Sequence, residues 1–263
     1  MANRLLTGGR LGSPRWMQEL CVVRRSPLAI AVAALVVLAP VGAIVHTTAP
    51  DELASLTVED GAIEYVQALC YLVGAVAFGW VAWKLRRRSP WAGLLALGMF
   101  LVAGEEISWG QRIFGISTPD SLEASNVQGE INLHNLEGVH GSVRAAGMLL
   151  IVLLFVLLPL AHRYLPVARS FLDRLRTPIV PVAAVPLALV AMAYMVVPRV
   201  IDGVVFELDE VGELYLALAA LTYGLGTAAR IAPPATPVID LTVAPTPAVA
   251  AASPTSPVAA LPQ

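Results

Sequence analysis

Charge is scarce in this chain. Only 14% of its 263 residues are Asp, Glu, Lys or Arg, while 57% are hydrophobic, and the mean hydropathy is +0.73. A soluble globular domain carries about a quarter charged residues, so that class is excluded. Lysine is nearly absent, with Lys84 alone against sixteen arginines. That bias, with abundant alanine, fits a GC-rich bacterial genome. Cysteine is limited to Cys21 and Cys70, one in a basic segment and one in an apolar run. No disulfide framework or thiolate metal site is expected from so few. Aromatics make up 6%, and no full H-E-x-x-H zinc motif occurs. No nucleic-acid partner is expected.

What is present is a series of long apolar blocks, the mark of membrane spans. Six are expected, at Leu28–Val45, Ile63–Trp83, Trp91–Trp109, Val143–Ala161, Ile179–Ile201 and Glu210–Ala229. Each approaches the roughly 20 residues that cross about 30 Å of hydrocarbon. All should be helical, because a lipid-exposed backbone must satisfy its own hydrogen bonds. The expected fold class is therefore an all-α polytopic membrane protein. Residues 1–27 form a basic segment, 28–230 the six-helix membrane domain with a polar loop at 110–142, and 231–263 a Pro/Ala-rich tail. The tail has too little apolar or charged content to pack and reads as a disordered extension. The first block is longer than a signal-peptide core, contains Pro40 and lacks an A-x-A site, so it reads as an uncleaved anchor. Pro181, Pro186 and Pro198 should bend the fifth span.

The basic residues set an orientation. Fourteen of seventeen fall in segment 1–27, loop 84–90, loop 162–177 and Arg230. Only Arg112, Arg144 and Arg199 lie on the opposite side, together with sixteen of the nineteen acids. The positive-inside rule places both termini in the cytoplasm and the 110–142 loop outside, in a bacterial inner (plasma) membrane. Trp80, Trp83 and Trp91 would mark the inner interface and Trp109 the outer one.

Most of the chemistry lies between Gly104 and Gly141. At the outer end of the third span stand Glu105 and Glu106, in the string GEEISWGQRIFG. Trp91 to Glu106 is about 22 Å of helix, which sets both acids near the outer headgroups. Ionisable groups at such depth are costly and are functional candidates by default. If the helix continues, Glu105, Ser108, Trp109 and Arg112 share one face and Glu106 points about 100° away. Two readings stay open. As structural anchors, Glu105 would pair with Arg112 or Arg144 and Glu106 would hold a neighbouring loop. As chemical groups, they would be general bases or metal ligands.

The loop that follows reads SNVQGEINLHNLEGVHG over 125–141. If helical, it aligns Glu130, His134 and Glu137, with His140 three residues on and Ser125–Gln128 as a capping box. Glu-x-x-x-His and Glu-x-x-His spacings place carboxylate beside imidazole, a pattern that binds zinc or iron when a second element completes the shell. Glu105, Glu106 or His46 would complete it. Asn132 and Asn135 would alternatively fold the loop back by hydrogen bonding. The expected catalytic set is Glu105, Glu106, His134 and Asn135, with Glu64, Arg112 and His140 behind them. The expected metal set is Glu106, His134 and His140, with a divalent ion such as zinc. His162 lies on the cytoplasmic side and is excluded.

Two further spans begin with acids, in VEDGAIEYVQAL and ELDEVGELYLAL. Glu64 and Glu213 either favour their helix dipoles or reach the pocket of Glu105 and Glu106, where a carboxylate-lined mouth would draw cations.

GEEISWGQRIFG followed by N-x-Q-G-E-x-N-L-H-N resembles a family of uncharacterised bacterial multi-pass membrane proteins, over roughly residues 58–141. The resemblance implies a shared outer-face site and no particular activity. The glutamate pair is also similar to that of CAAX-type intramembrane proteases, but Gly110 stands where those have arginine. The alkaline ceramidase-like hydrolases combine acids and histidines too, but their H-x-x-x-H is missing here. Two functions remain. One is a metal-assisted hydrolase or transferase acting on a lipid or lipid-linked substrate. The other is a transporter, channel or assembly subunit with an acidic outer vestibule. The near absence of polar residues in the inner halves of the spans weighs against a through-path.

Overall fold

The computed structural model describes residues 27–57, 61–85, 89–126, 129–138, 140–201 and 206–232. Among them every extended element is a helix, and the sole strand-like feature is an isolated bridge between Asn126 and Leu136. The basic segment up to residue 26 and the tail from 233 lie outside the described residues.

The chain opens with α1 (Pro27–Val37) and α2 (Ala39–Thr48), which together form an apolar stretch over Ala29–Thr48, then the short α3 (Pro50–Leu56). Next come α4 (Ala62–Lys84) and α5 (Pro90–Glu106). After a 3-10 turn at Ser108–Gly110 follow two short helices, α6 (Gln111–Phe114) and α7 (Asp120–Glu123). Helix α8 (His140–Ile151), a π-helical stretch (Val152–Leu157) and α9 (Leu158–Tyr164) run on as one apolar rod, and α10 (Pro166–Arg174) turns off it. A 3-10 turn (Val182–Ala184) leads into α11 (Val185–Ile201), and α12 (Phe206–Ile231) is the last described helix.

Four of these segments are long and apolar enough to cross a membrane: Ala29–Thr48, Ala62–Lys84, Gly141–Tyr164 and Glu207–Ile231. A fifth is reached if Pro90–Glu106 is joined to Ser108–Phe114 across a 67° bend. The expectation of six spans is thus met only to four or five. The fifth expected span is represented by a shorter apolar helix, Val182–Val197. Pro178 and Pro181 lie in its approach, which is non-helical up to Pro181. Proline lacks the N–H that would extend the helix backwards, whereas Pro186, in the first turn of α11, costs nothing there.

The core forms where α4 packs along both α5 and α12, and α12 along α11. Small residues permit this. A Cβ on Gly224 of α12 would lie 2.9 Å from the Gly74 carbonyl of α4, so the two backbones touch. Close helix contact through small residues is the usual packing solution where lipid removes the hydrophobic drive. Phe78 meets Tyr223 edge-to-face at 4.8 Å. Tyrosine hydroxyls then tie elements together: Tyr215 donates to the Leu35 carbonyl at 2.8 Å and Tyr223 to that of Pro178 at 2.6 Å. Tyr194 donates to the Ala39 carbonyl and accepts from the Ala43 amide. Lys84 lies over the rings of Trp80 and Trp83.

Candidate functional site

The helix carrying the glutamate pair ends at Glu106. Ser108 and Trp109 adopt left-handed backbone (φ 44° and 55°), followed by Gly110 at φ 77°. Such a run cannot belong to a right-handed helix. The expected shared face of Glu105, Ser108, Trp109 and Arg112 therefore does not exist. The reversal folds the Trp109 ring back against α5, within 2.8 Å of where a Cβ on Gly104 would sit. Its Nε1 donates to Glu105 Oε1 at 2.8 Å. Phe100 meets the same ring edge-to-face.

The other Glu105 oxygen holds the loop. Oε2 accepts from the backbone amides of Leu133 (2.6 Å) and His134 (3.1 Å), and His134 Nδ1 lies 3.4 Å away. Arg112 pairs with Glu130 at 3.0 Å, so the expected Glu105–Arg112 pair is replaced by one the spacing did not point to. Glu130 is only 5% exposed. It also accepts from Ser108 Oγ at 2.5 Å and Asn132 Nδ2 at 3.1 Å. A buried carboxylate is tolerated when its lone pairs are met by donors in this way.

The segment expected to be helical over 125–141 is instead a set of turns in its described part. Gly129 and Gly138 take positive φ (68° and 78°), and the amide of Glu137 bonds back to the Ser125 carbonyl. Asn126 donates to both the carbonyl and the side-chain oxygen of Asn132, and accepts from the Glu130 amide. Gln111 accepts from the Ile131 amide and donates to Thr118, which donates in turn to the Gly129 carbonyl. The competition between side-chain and helical hydrogen bonds is won here by Asn and Gln. The fold-back expected as the alternative for Asn132 is what forms. Asn135 is buried in the same loop. Gln128, the proposed capping partner, and the side chain of His140 lie outside the described residues.

Glu106 has different company. It lies close enough to Glu213, Glu210, Glu64 and Glu105 to interact electrostatically with each, and Tyr71 feels both Glu106 and Glu213. The start of α4 and the start of α12 thus bring carboxylates within electrostatic reach of the end of α5. The alternative reading of Glu64 and Glu213, that they reach the glutamate pair, is the one the fold adopts for Glu106. Gln67, one turn beyond Glu64, is wholly buried and donates from Nε2 to the Glu210 carbonyl at 3.1 Å. Sequence reasoning passed over Gln67. The signal was there, in a polar residue spaced three after Glu64 and four before Tyr71 on one helix face.

Of the expected metal set, His134 is placed with Glu105, and Glu106 with other carboxylates. Among the described residues no group of three His, Cys, Asp or Glu side chains is arranged to hold a metal ion. The described residues therefore do not fit a zinc site as arranged. His46 has a buried Nδ1 with no hydrogen-bond partner and joins no such group. His162 pairs with Asp173 at 2.9 Å, remote in sequence from the loop. No family description, curated protein or solved structure matches this chain. The site must be read from its own residues.

Proposed function

We propose that this is a six-span integral protein of a bacterial inner membrane, with both termini cytoplasmic, whose extracytoplasmic acidic vestibule collects cations or a cationic partner group. The observation that carries this is that Glu64, Glu210 and Glu213, from two other helices, lie within electrostatic reach of Glu106. The charge distribution along the sequence supports it, since the segments read as extracytoplasmic hold sixteen acids against three arginines. A cleft of one sign with low-dielectric walls raises the local concentration of counter-ions. Glu105 is engaged by the Trp109 indole and by two backbone amides of the loop, so the function falls to its neighbour. Cation binding to purified protein, followed by calorimetry, tests the reading. Glu106→Gln should weaken binding about tenfold or more, the worth of one charged hydrogen bond. Unchanged binding would remove the vestibule as the functional site.

One observation keeps an enzymatic reading in second place. His134 and Glu105 form a partly exposed imidazole–carboxylate pair. A carboxylate orients a histidine for proton transfer, which would suit hydrolysis or group transfer on a lipid-linked substrate. Lipid turnover by wild-type protein that disappears in His134→Ala would raise this reading above the first.

A further inference from the structure

Helix α10 (Pro166–Arg174) has two unlike sides. At about 3.6 residues per turn, Val167, Ala168, Phe171 and Leu172 fall on one side and Arg169, Ser170 and Asp173 on the other, with Arg174 at the border. The helix packs chiefly on α9. Ala168 and Leu172 are half-buried, whereas Val167 and Phe171 are 84% and 61% exposed. Two large apolar side chains one turn apart thus face outward beside charged residues. That division belongs to helices that lie in a membrane surface with one side among the acyl chains.

The place of α10 in the chain fits such a position. The apolar rod Gly141–Tyr164 is long enough to cross a membrane, and it ends two residues before Pro166. Leu165 is extended between them (φ −108°, ψ 104°), so the chain turns, and proline opens the new helix. The exposed apolar surface continues through the bend: Leu160, Tyr164 and Leu165 lie before it, Val167 and Phe171 after it. Polar contacts fix the bend. Arg169 donates from Nε to the His162 carbonyl at 2.8 Å and from a terminal nitrogen to the Arg163 carbonyl at 2.7 Å. Both carbonyls belong to the last turn of α9, where basic side chains are favourable partners. Asp173 pairs with His162 at 2.9 Å.

The charge at the bend selects the kind of lipid. Residues 162–176 contain four arginines and one acid. The acid, Asp173, is engaged by His162, and Arg169 by the carbonyls of α9. Arg163, Arg174 and Arg176 are exposed around the same bend. Guanidinium groups bind phosphate oxygens through paired N–H donors. A zwitterionic headgroup carries its own cation, which opposes an arginine, and an anionic headgroup does not. Each arginine near an anionic surface strengthens attachment about fivefold.

We propose that α10 docks on the membrane surface where the Gly141–Tyr164 span ends and binds anionic phospholipid there. Val167 and Phe171 enter the acyl region, and Arg163, Arg174 and Arg176 meet the headgroup phosphates. In the orientation proposed above this is the cytoplasmic leaflet, opposite the acidic vestibule, and the two readings stand or fall separately.

The test uses the full chain in detergent micelles, with Cys21→Ser and Cys70→Ala and a fluorophore on Ser170→Cys. Phosphatidylglycerol or phosphatidylcholine bearing an acyl-chain nitroxide is titrated, and the nitroxide quenches only a fluorophore close to it. Half-quenching should need about a hundredfold less phosphatidylglycerol than phosphatidylcholine, from three arginines at about fivefold each. High salt should remove most of that preference. Arg163→Gln with Arg174→Gln should weaken phosphatidylglycerol about thirtyfold and leave phosphatidylcholine unchanged. Val167→Ser with Phe171→Ser should weaken both lipids. Equal quenching by the two lipids with all arginines in place would overturn the proposal, as would phosphatidylglycerol quenching unaltered in the folded arginine variant. Absence of quenching by either lipid would overturn it too, and disulfide cross-linking of two chains through Ser170→Cys would then name a second copy as the occupant.

Discussion

Glu105 and Glu106 are neighbours in the chain and belong to two unlike regions. Glu105 faces a loop rich in donors: an indole N–H, two backbone amides and an imidazole converge on its two oxygens. Glu106 faces helix ends that bring other carboxylates. The first arrangement satisfies a carboxylate internally and leaves it little to offer a ligand. The second sets Glu106 within electrostatic reach of carboxylates from two other helices. Adjacent acids on a helix point about 100° apart, and that rotation alone is enough to send one to the loop and the other to the helix ends.

The comparison can be broken first at Glu130, the centre of the loop region. Glu130→Leu removes the acceptor that Ser108 and Asn132, both buried, and Arg112 share, and should cost about 3 kcal/mol by leaving donors unsatisfied. Thermal unfolding in detergent would register it. A loss under about 1 kcal/mol would mean the loop is not held by this carboxylate. Glu105→Ala removes bonds to a charged acceptor nearer the surface and should cost about 2 kcal/mol. Gly110→Ala should cost about 1–2 kcal/mol, because a Cβ is disfavoured at φ 77° and would sit 2.9 Å from the Phe114 ring. Asp173→Asn, which weakens the exposed pair with His162, should cost less than about 1 kcal/mol. Glu106→Gln should be close to neutral in stability, or stabilising, since it relieves like-charge repulsion. A loss in that variant as large as in Glu105→Ala would erase the distinction between the regions.

Much of the helical framework was legible from hydropathy. Ala29–Thr48, Ala62–Lys84, Gly141–Tyr164 and Glu207–Ile231 match expected spans within a few residues, because long apolar runs have few alternatives in a bilayer. The third span ended early because nothing in Ser108 or Trp109 signals left-handed backbone; both residues usually accept helix. The conformation is imposed by tertiary contacts, the Trp109 ring over Gly104 and Ser108 to Glu130. The histidine loop was misread for a similar reason. Glu130, His134 and Glu137 have helical spacing, yet Gly129 and Gly138 and the bonds of Asn126, Gln111 and Thr118 impose turns. Gly129 and Gly138 were visible in the string, and weighing them as turn residues would have argued against the helix. The meeting of Glu64 and Glu213 with Glu106 was anticipated only as an alternative, since helix ends remote in sequence show their proximity only after packing.

The account rests on a division of labour between two adjacent glutamates, and amide hydrogen exchange tests it most directly. The Leu133 and His134 amides donate to Glu105 alone among the two. Exchange at these amides should accelerate in Glu105→Ala and stay at the wild-type rate in Glu106→Ala. Equal acceleration in both variants, or none in either, would contradict the assignment of Glu105 to the loop and Glu106 to the acidic cluster.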